Sequence, residues 1–318
     1  MGRGSSIAID DIYKYSSLYD KAFNNNENVN KIFKEYDTKD FELILDRLYQ
    51  AGKINTILEI NDSDNEIKNN YNLIKNSLIK VIRENHINYS DVYNYLDNII
   101  IFLKNFNKVF SLNYDLIIYW SILKGNDEEK YGNYFKDCFV SSYFDDDWIR
   151  FQEPYGADGS TLIFYPHGNL ILARDENDSE IKINKESSYK LLEQIFTKWD
   201  KSNYRPLFVS EGNSEQKLQA IKRSSYLNIV YYNILNNIES NLCIYGWSLA
   251  DNDNHLIEKI FKDNFISNVA ISIYKGDRDS RDLKNEMRNI KTKIKNYTRN
   301  TGINIYFYNS QSDDCWIY

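Results

Sequence analysis

The run Val109-Phe110-Ser111-Leu112-Asn113-Tyr114-Asp115 is β-branched and aromatic at its start and ends in an amide and a carboxylate two residues apart. On a strand, side chains at i and i+2 share a face, so Asn113 and Asp115 would point into one crevice at the carboxyl edge of a buried parallel strand, where open α/β sheets bind ligands. The same residue types also close strands as plain turn residues. A second candidate is His167, held between Pro166 and Gly168, with strand-like runs at 161–165 and 169–173. Proline stops the first ladder and glycine lets the chain turn, which leaves an imidazole, the usual acid–base group near neutral pH, at a strand edge. A histidine in such a hairpin turn also serves structure alone. A third is Gly2-Arg3-Gly4-Ser5-Ser6-Ile7-Ala8. It has the look of a phosphate loop, whose missing β-carbons let backbone N–H groups approach an anion. No strand precedes it, so a lost first strand, a cloning remnant and a flexible terminus are all open readings. His86 follows a polar helix and His255 lies in the first turn of another, neither with a partner legible from sequence.

The elements that must position these groups divide into two halves. Residues 12–86 are polar with helical rhythm. Thr38 is placed to cap a helix carrying Phe41, Ile44, Leu45 and Leu48 and ending at Gly52. Residues 64–86 read as a second helix, and a third starts near Ser90 and carries Val92, Leu96, Ile99, Ile100 and Leu103. This block, 12–108, reads as a mainly helical insertion, a lid or an oligomer contact. A further helix covers 116–123, and 131–158 is loop-rich, with Asp145-Asp146-Asp147 and Pro154-Tyr155-Gly156. Three adjacent carboxylates suit a hard cation, but no EF-hand-like spacing follows, so a solvated loop and no metal is the reading. From 206 onward strands and helices alternate: strands at 206–209, 242–245, 269–274 and 303–308, and helices at 214–238 (capped by Ser214), 251–261 and 283–297. That alternation predicts an α/β fold with a mostly parallel sheet. Its strand ends carry Ser210-Glu211-Gly212, Gly246-Trp247-Ser248 and Asn309-Ser310.

Composition narrows the function classes. The chain has 318 residues, 42% of them hydrophobic, enough for one large domain or two modest ones. Its 46 acidic and 39 basic residues give a formal charge of −7, which builds no positive field for a phosphate backbone, so nucleic acid is not expected as a partner. No apolar run approaches the roughly 20 residues of a membrane span and no signal segment follows Met1, so the expectation is a cytoplasmic protein without a membrane partner. Cys138, Cys243 and Cys315 are too few and too scattered for a disulfide framework or a four-thiolate zinc site, and read as buried thiols. The 27 tyrosines and the many asparagines look like coding bias of an AT-rich genome.

Taken in order, Leu112-Asn113-Tyr114-Asp115, His167-Gly168 and Gly246-Trp247-Ser248-Leu249 resemble the landmarks of the SIR2-like (sirtuin-related) superfamily, and look closest to a bacterial branch opened by a G-N-G-x-S-I loop. Gly2-Arg3-Gly4-Ser5-Ser6-Ile7 is similar to that loop with Arg3 in place of Asn, and Lys14-Tyr15-Ser16-Ser17-Leu18 and Pro206-Leu207-Phe208-Val209-Ser210-Glu211-Gly212 are similar to the same branch. The resemblance covers nearly the whole chain and implies a single Rossmann-like, doubly wound domain that binds NAD. It assigns Gly2, Gly4 and Ser6 to the pyrophosphate loop and Asn113 and Asp115 to the nicotinamide ribose and carboxamide. His167 becomes the general base, Gly246 and Ser248 face the adenosine ribose, and Asn309 lies near the adenine; Ser210 and Glu211 belong to the same ligand-binding edge. The missing first strand departs from the pattern, and so does the absence of the four-cysteine zinc module of sirtuin deacylases. SIR2-like bacterial proteins without that module look like NAD⁺ hydrolases of anti-phage defence, so the implied activity is NAD⁺ plus water giving nicotinamide and ADP-ribose. The alternative is a non-catalytic NAD or ADP-ribose sensor or scaffold acting through a protein partner or a homo-oligomer.

Overall fold

Two short parallel sheets, each of three strands, carry the site at their carboxyl ends. In the computed structural model the described residues are 1–14, 17–22, 27–60, 65–128, 131–153, 156–184, 187–201, 204–209 and 211–318. Tyr15, Ser16, Asp64, Pro154, Tyr155 and Ser210 lie outside them.

The first third is helical: α1 Gly4–Ile7, α2 Leu18–Ala22, α3 Glu27–Glu35, α4 Phe41–Ile57, α5 Glu66–Glu84, α6 Tyr89–Val92 and α7 Leu96–Leu103. Helix α5 buries Ile74, Leu78 and Ile79, as its rhythm predicts, together with Ile82, whereas Leu73, expected on the same face, is exposed. Helix α4 departs from expectation at both ends. Its cap is Asp40, whose carboxylate accepts from the N–H groups of Glu42 and Leu43, while Thr38 receives the Asp40 N–H. Gly52 lies inside α4, where a glycine costs about 1 kcal/mol relative to alanine. Packing of α4 against α5, with Ile67 beside Gly52, carries the helix on to Ile57.

Strand β1, Lys108–Phe110, leads through α8, Ile117–Asp127, to β2, Asn133–Lys136; β3, Phe139–Val140, and β4, Tyr143–Phe144, form a small hairpin before β5, Gly159–Phe164. The parallel order is β1-β5-β2, with Val109 beside Ile163 and Phe135 beside Thr161. Residues 131–158, expected to be loop-rich, thus hold three strands, each of two to four residues and with few buried side chains, too short to show a period.

Strands β6, Gly168–Arg174, β7, Glu180–Lys182, and β8, Arg205–Phe208, form a separate antiparallel sheet in the order β7-β6-β8, with α9, Leu191–Lys201, between β7 and β8. Two expectations are corrected here. The strands flanking His167 belong to different sheets, so Gly168, at φ +74°, sends the chain from one sheet to the next and closes no hairpin. Strand β8 was expected in the parallel series but runs antiparallel to β6, because β6 is buried along nearly its whole length and takes a partner on each edge.

The last third follows the alternation: α10 Ser214–Lys222, α11 Ser225–Ile229 passing into a π-helical turn at Val230–Ile234, β9 Asn241–Ile244, α12 Asn254–Asp263, β10 Asn268–Ile273, α13 Ser280–Tyr297 and β11 Asn304–Asn309. Strands β9, β10 and β11 are adjacent and parallel. The single helix expected over 214–238 is broken at Arg223–Ser224, and the residue that caps α10 is Asn213, in a reciprocal capping box with Gln216. The chain is therefore mixed α/β with mostly parallel sheets, and among the described residues no helix is long and apolar enough to cross a membrane.

Candidate functional site

Met1 and Gly2 stitch the two parallel sheets together at their carboxyl ends. Met1 pairs with the end of β1, its amine donating to the Phe110 carbonyl at 2.6 Å and its carbonyl accepting from Leu112 N–H at 2.9 Å. Gly2 N–H donates to the Tyr245 carbonyl at 3.0 Å and Gly4 N–H to the Gly246 carbonyl at 2.7 Å. The approach is closer than side chains allow. A β-carbon on Gly2 would lie 2.7 Å from Trp247 Cα, one on Gly4 2.9 Å from Gly246 Cα, and one on Gly246, at φ +63°, 2.4 Å from Ser5 N. The glycines of this loop are thus required by backbone-to-backbone packing, whatever else they do.

Asn113 and Asp115 meet on that loop, though not by the route expected. Strand β1 stops at Phe110, so the two residues lie in the irregular segment between β1 and α8. Their side chains still converge on Ser6: Asn113 Nδ2 lies 2.7 Å from Ser6 Oγ, and the Ser6 hydroxyl donates to Asp115 Oδ2 at 2.5 Å. Asn113 Nδ2 is also 3.0 Å from Ser5 Oγ and 3.2 Å from the Gly2 carbonyl. The other carboxylate oxygen of Asp115 accepts the N–H of Ile117, the first residue of α8, and Asn169 Nδ2 donates to the Asp115 carbonyl at 2.7 Å. Burial raises the Asp115 carboxyl to about 6, against the Ser6 and Ile117 hydrogen bonds that favour its charge.

His167 sits across from this cluster, buried, with Nε2 3.0 Å from His255 Nε2. His255 Nδ1 is 3.1 Å from Ser214 Oγ, which in turn accepts the His255 backbone N–H at 2.8 Å. Burial, then the Lys217 ammonium and His255, hold His167 neutral, well below its ordinary value, although Asp253 pulls the other way; burial brings His255 down to about 4. Lys217 Nζ pairs with Asp253 at 2.8 Å and Trp247 Nε1 donates to the same carboxylate at 2.9 Å. Burial pushes Asp253 upward, but the Lys217 ammonium and the hydrogen bonds from Lys217 and Trp247 hold it below the usual carboxylate range. The arrangement is a line of exchangeable groups, Ser214, His255, His167, ending at a cavity.

That cavity, about 800 Å³, brings together Gly2, Gly4, Ser6, Asn113, Asp115 and His167. Glu211, Gly246 and Ser248 also line it, Ser248 at its exposed rim. Glu211 is already engaged, accepting from Ser17 Oγ at 2.7 Å and Tyr19 N–H at 3.0 Å, so it ties α2 to the turn after β8. Asn309 is not brought in. It is exposed beyond the cavity wall, with Oδ1 accepting the Gln311 N–H of its own turn, and Ser310 lines the cavity in its place. Ser210 falls outside the described residues. Sequence reading missed Ser5, Ser214, Lys217 and Asp253 and left His255 without a partner. The available signal was the Asp253-x-His255 pair opening a helix directly after the Gly246-Trp247-Ser248 turn, but Ser214 is 41 residues away from His255 and only the fold joins them.

His86 has a different environment. Its Nε2 accepts the Leu116 N–H at 3.0 Å, which places the proton on Nδ1, donated to the Ile87 carbonyl at 2.7 Å. Asp145, first of the three adjacent aspartates, pairs with Arg150, and among the described residues no group of three or more His, Cys, Asp or Glu side chains is disposed to hold a metal ion. Cys138 is buried, as expected, while Cys243 and Cys315 are only partly so.

No curated protein matches the chain. A family model described as a domain of unknown function, DUF4917, matches residues 1–316, and the chain belongs to that family.

Proposed function

We propose that the protein is an NAD⁺ glycohydrolase with a SIR2-like, Rossmann-like architecture, its sheet read as β2-β5-β1 and β9-β10-β11 flanking the Met1–Gly2 segment. The observation that carries the reading is the convergence of Asn113, Asp115 and His167 on one cavity of about 800 Å³, within the range of small-molecule and cofactor sites. The Gly2–Ser6 loop and the Gly246 turn form its rim, at the carboxyl ends of β1 and β9, the edge where open α/β sheets take nucleotides.

The chemistry asked of these groups is modest. Breaking the bond between ribose C1′ and the nicotinamide nitrogen sends the electron pair to the ring and builds positive charge on the ribose. The amide and the carboxyl of Asn113 and Asp115 stabilise that charge and orient the ribose. Water then bonds to C1′ and loses a proton to His167, whose imidazole starts neutral and whose protonated form the nearby Asp253 carboxylate favours against burial and Lys217. The products are nicotinamide, ADP-ribose and the proton, with no metal in the scheme.

Purified protein incubated with NAD⁺ should release nicotinamide and ADP-ribose on chromatography, and both His167→Ala and Asn113→Ala should abolish the release. Release that survives both substitutions, or none from the parent protein, rejects the reading. One observation favours a second reading, a sensor that binds NAD or ADP-ribose without turnover: the hydrogen-bonding groups of Asn113 and Asp115 are largely engaged by Ser5, Ser6 and Ile117. A rise in melting temperature with ADP-ribose and no turnover would select it.

A further inference from the structure

A second cavity, about 480 Å³, lies on the opposite side of Met1 from the candidate site. Residues 107–110 form one wall and β9 the other, and Phe102, Phe106, Leu235, Leu256 and Ile260 add apolar surface. Strands β1 and β9 are edge strands, and each turns toward this cavity the edge that has no strand partner among the described residues. Unpaired strand edges facing each other across an apolar gap are what a sheet looks like with one strand removed.

Width and register can be read from Met1. The residue bonds to β1 on one side while Gly2, its neighbour, bonds to the end of β9 on the other, so the gap there is one strand wide, with strands spaced about 4.8 Å apart. Its amine donates to the Phe110 carbonyl and its carbonyl accepts from Leu112, the pattern of a parallel bridge to Ser111. Carried back along the same register, four further residues would lie beside Phe110, Val109, Lys108 and Asn107, and on the other side beside Ile244, Cys243, Leu242 and Asn241. Those eight positions all line the cavity.

We propose that this slot is the seat of one further parallel strand, four residues long and apolar, which runs between β1 and β9 and is joined to the amino side of Met1. The joined segment fits better than a peptide from another molecule for an electrostatic reason. The Met1 amine is buried at the head of the slot, where burial lowers it to about 6, and a peptide bond would turn it into the N–H donor that its position already mimics. A separate peptide would instead bring a second charged terminus into an apolar groove. Both faces of the strand would be covered, so a continuous apolar run suits it better than an alternating one. The same strand would order the loop that Asn113 grips, since Met1 and Gly2 lead directly into Ser5 and Ser6.

The test extends the full chain at its amino end with Lys-Val-Ile-Val-Leu joined to Met1, beside an extension of equal length made of glycine and serine. The apolar extension should raise Tm by at least about 5 °C over the glycine–serine one, a large effect for a chain of this size. It should also slow amide exchange at least about tenfold in β1 and β9. Equal Tm and equal exchange overturn the proposal, as does an apolar extension that aggregates where the glycine–serine one stays monomeric. Protection of the same amides by free Lys-Val-Ile-Val-Leu peptide, with none from the joined segment, overturns it in favour of a strand supplied by another molecule. No readout depends on NAD, so this outcome is separate from the fate of the glycohydrolase reading.

Discussion

His86 and the pair His167–His255 are all buried, yet their surroundings ask different things of an imidazole. His86 spends both ring nitrogens on fixed backbone groups, the Leu116 N–H and the Ile87 carbonyl, so one tautomer is locked and nothing is left for a ligand. Edge-on contacts with Tyr13 and Trp120 close it in. His167 and His255 instead share an N···N contact whose proton can sit on either ring, with a hydroxyl at one end and a cavity at the other. A carbonyl that only accepts and an amide that only donates make a structural joint. Groups that do either can pass a proton. The π-helical turn adds to the contrast, because it sets Tyr231 to donate to the His255 carbonyl and to stack on its ring.

The contrast is sharpest in what truncation should do. Under the glycohydrolase reading His167→Ala lowers turnover by about 10²- to 10⁴-fold, the usual range for a lost acid–base group, while a denaturant melt moves little because the new space opens on a cavity. His86→Ala should do the reverse, leaving the Leu116 N–H and the Ile87 carbonyl unpaired and costing about 2–5 kcal/mol of stability in the same melt. Equal stability losses in the two variants would break the comparison.

A smaller effect is expected one group further out. Ser214→Ala removes the hydroxyl at the end of the line but leaves both rings in place, and turnover should fall about tenfold with the KM for NAD⁺ unchanged. The kcat pH profile should shift as well, which loss of packing alone would not cause. An altered KM with an unchanged profile would make Ser214 a helix-terminus residue and nothing more.

The last effect is a pH dependence of stability. The folded Asp115 carboxyl, raised to about 6 from 3.8, binds its proton more tightly than the unfolded chain does, so its contribution is present at low pH and is lost as pH rises from about 4 to 6. His86, lowered to about 4 from 6.5, works in the opposite sense and loses stability as pH falls through the same window. Asp115→Asn keeps an oxygen for the Ile117 N–H, replaces the acceptor facing the Ser6 hydroxyl with an amide donor at a cost that does not vary with pH, and removes the titration. Relative to that variant, the wild type should lose up to about 3 kcal/mol between pH 4 and 6, read from melts at each pH. A constant difference across the window would show that Asp115 is not desolvated.

The parts of this molecule that sequence determined are those governed by local periodicity. The apolar stripe of α5 and the βαβαβ run from β9 to β11 follow from spacing that each segment carries in itself, whereas Asn113 and Asp115, expected on the strand, lie beyond its end at Phe110. Only the tertiary structure decided the rest. Gly52 does not stop α4, because packing on α5 outweighs its weak helical preference. Strand β8 joins β6 and not the parallel series, because pairing depends on which edge is open, and no segment encodes that alone. The partnership of His255 with His167 and Ser214 spans 88 and 41 residues of chain, respectively. The reach of Gly2 to Trp247, which requires the glycine, crosses about three quarters of the sequence. Contacts of that range arise from how sheets and helices stack, and packing is a property of the assembled fold.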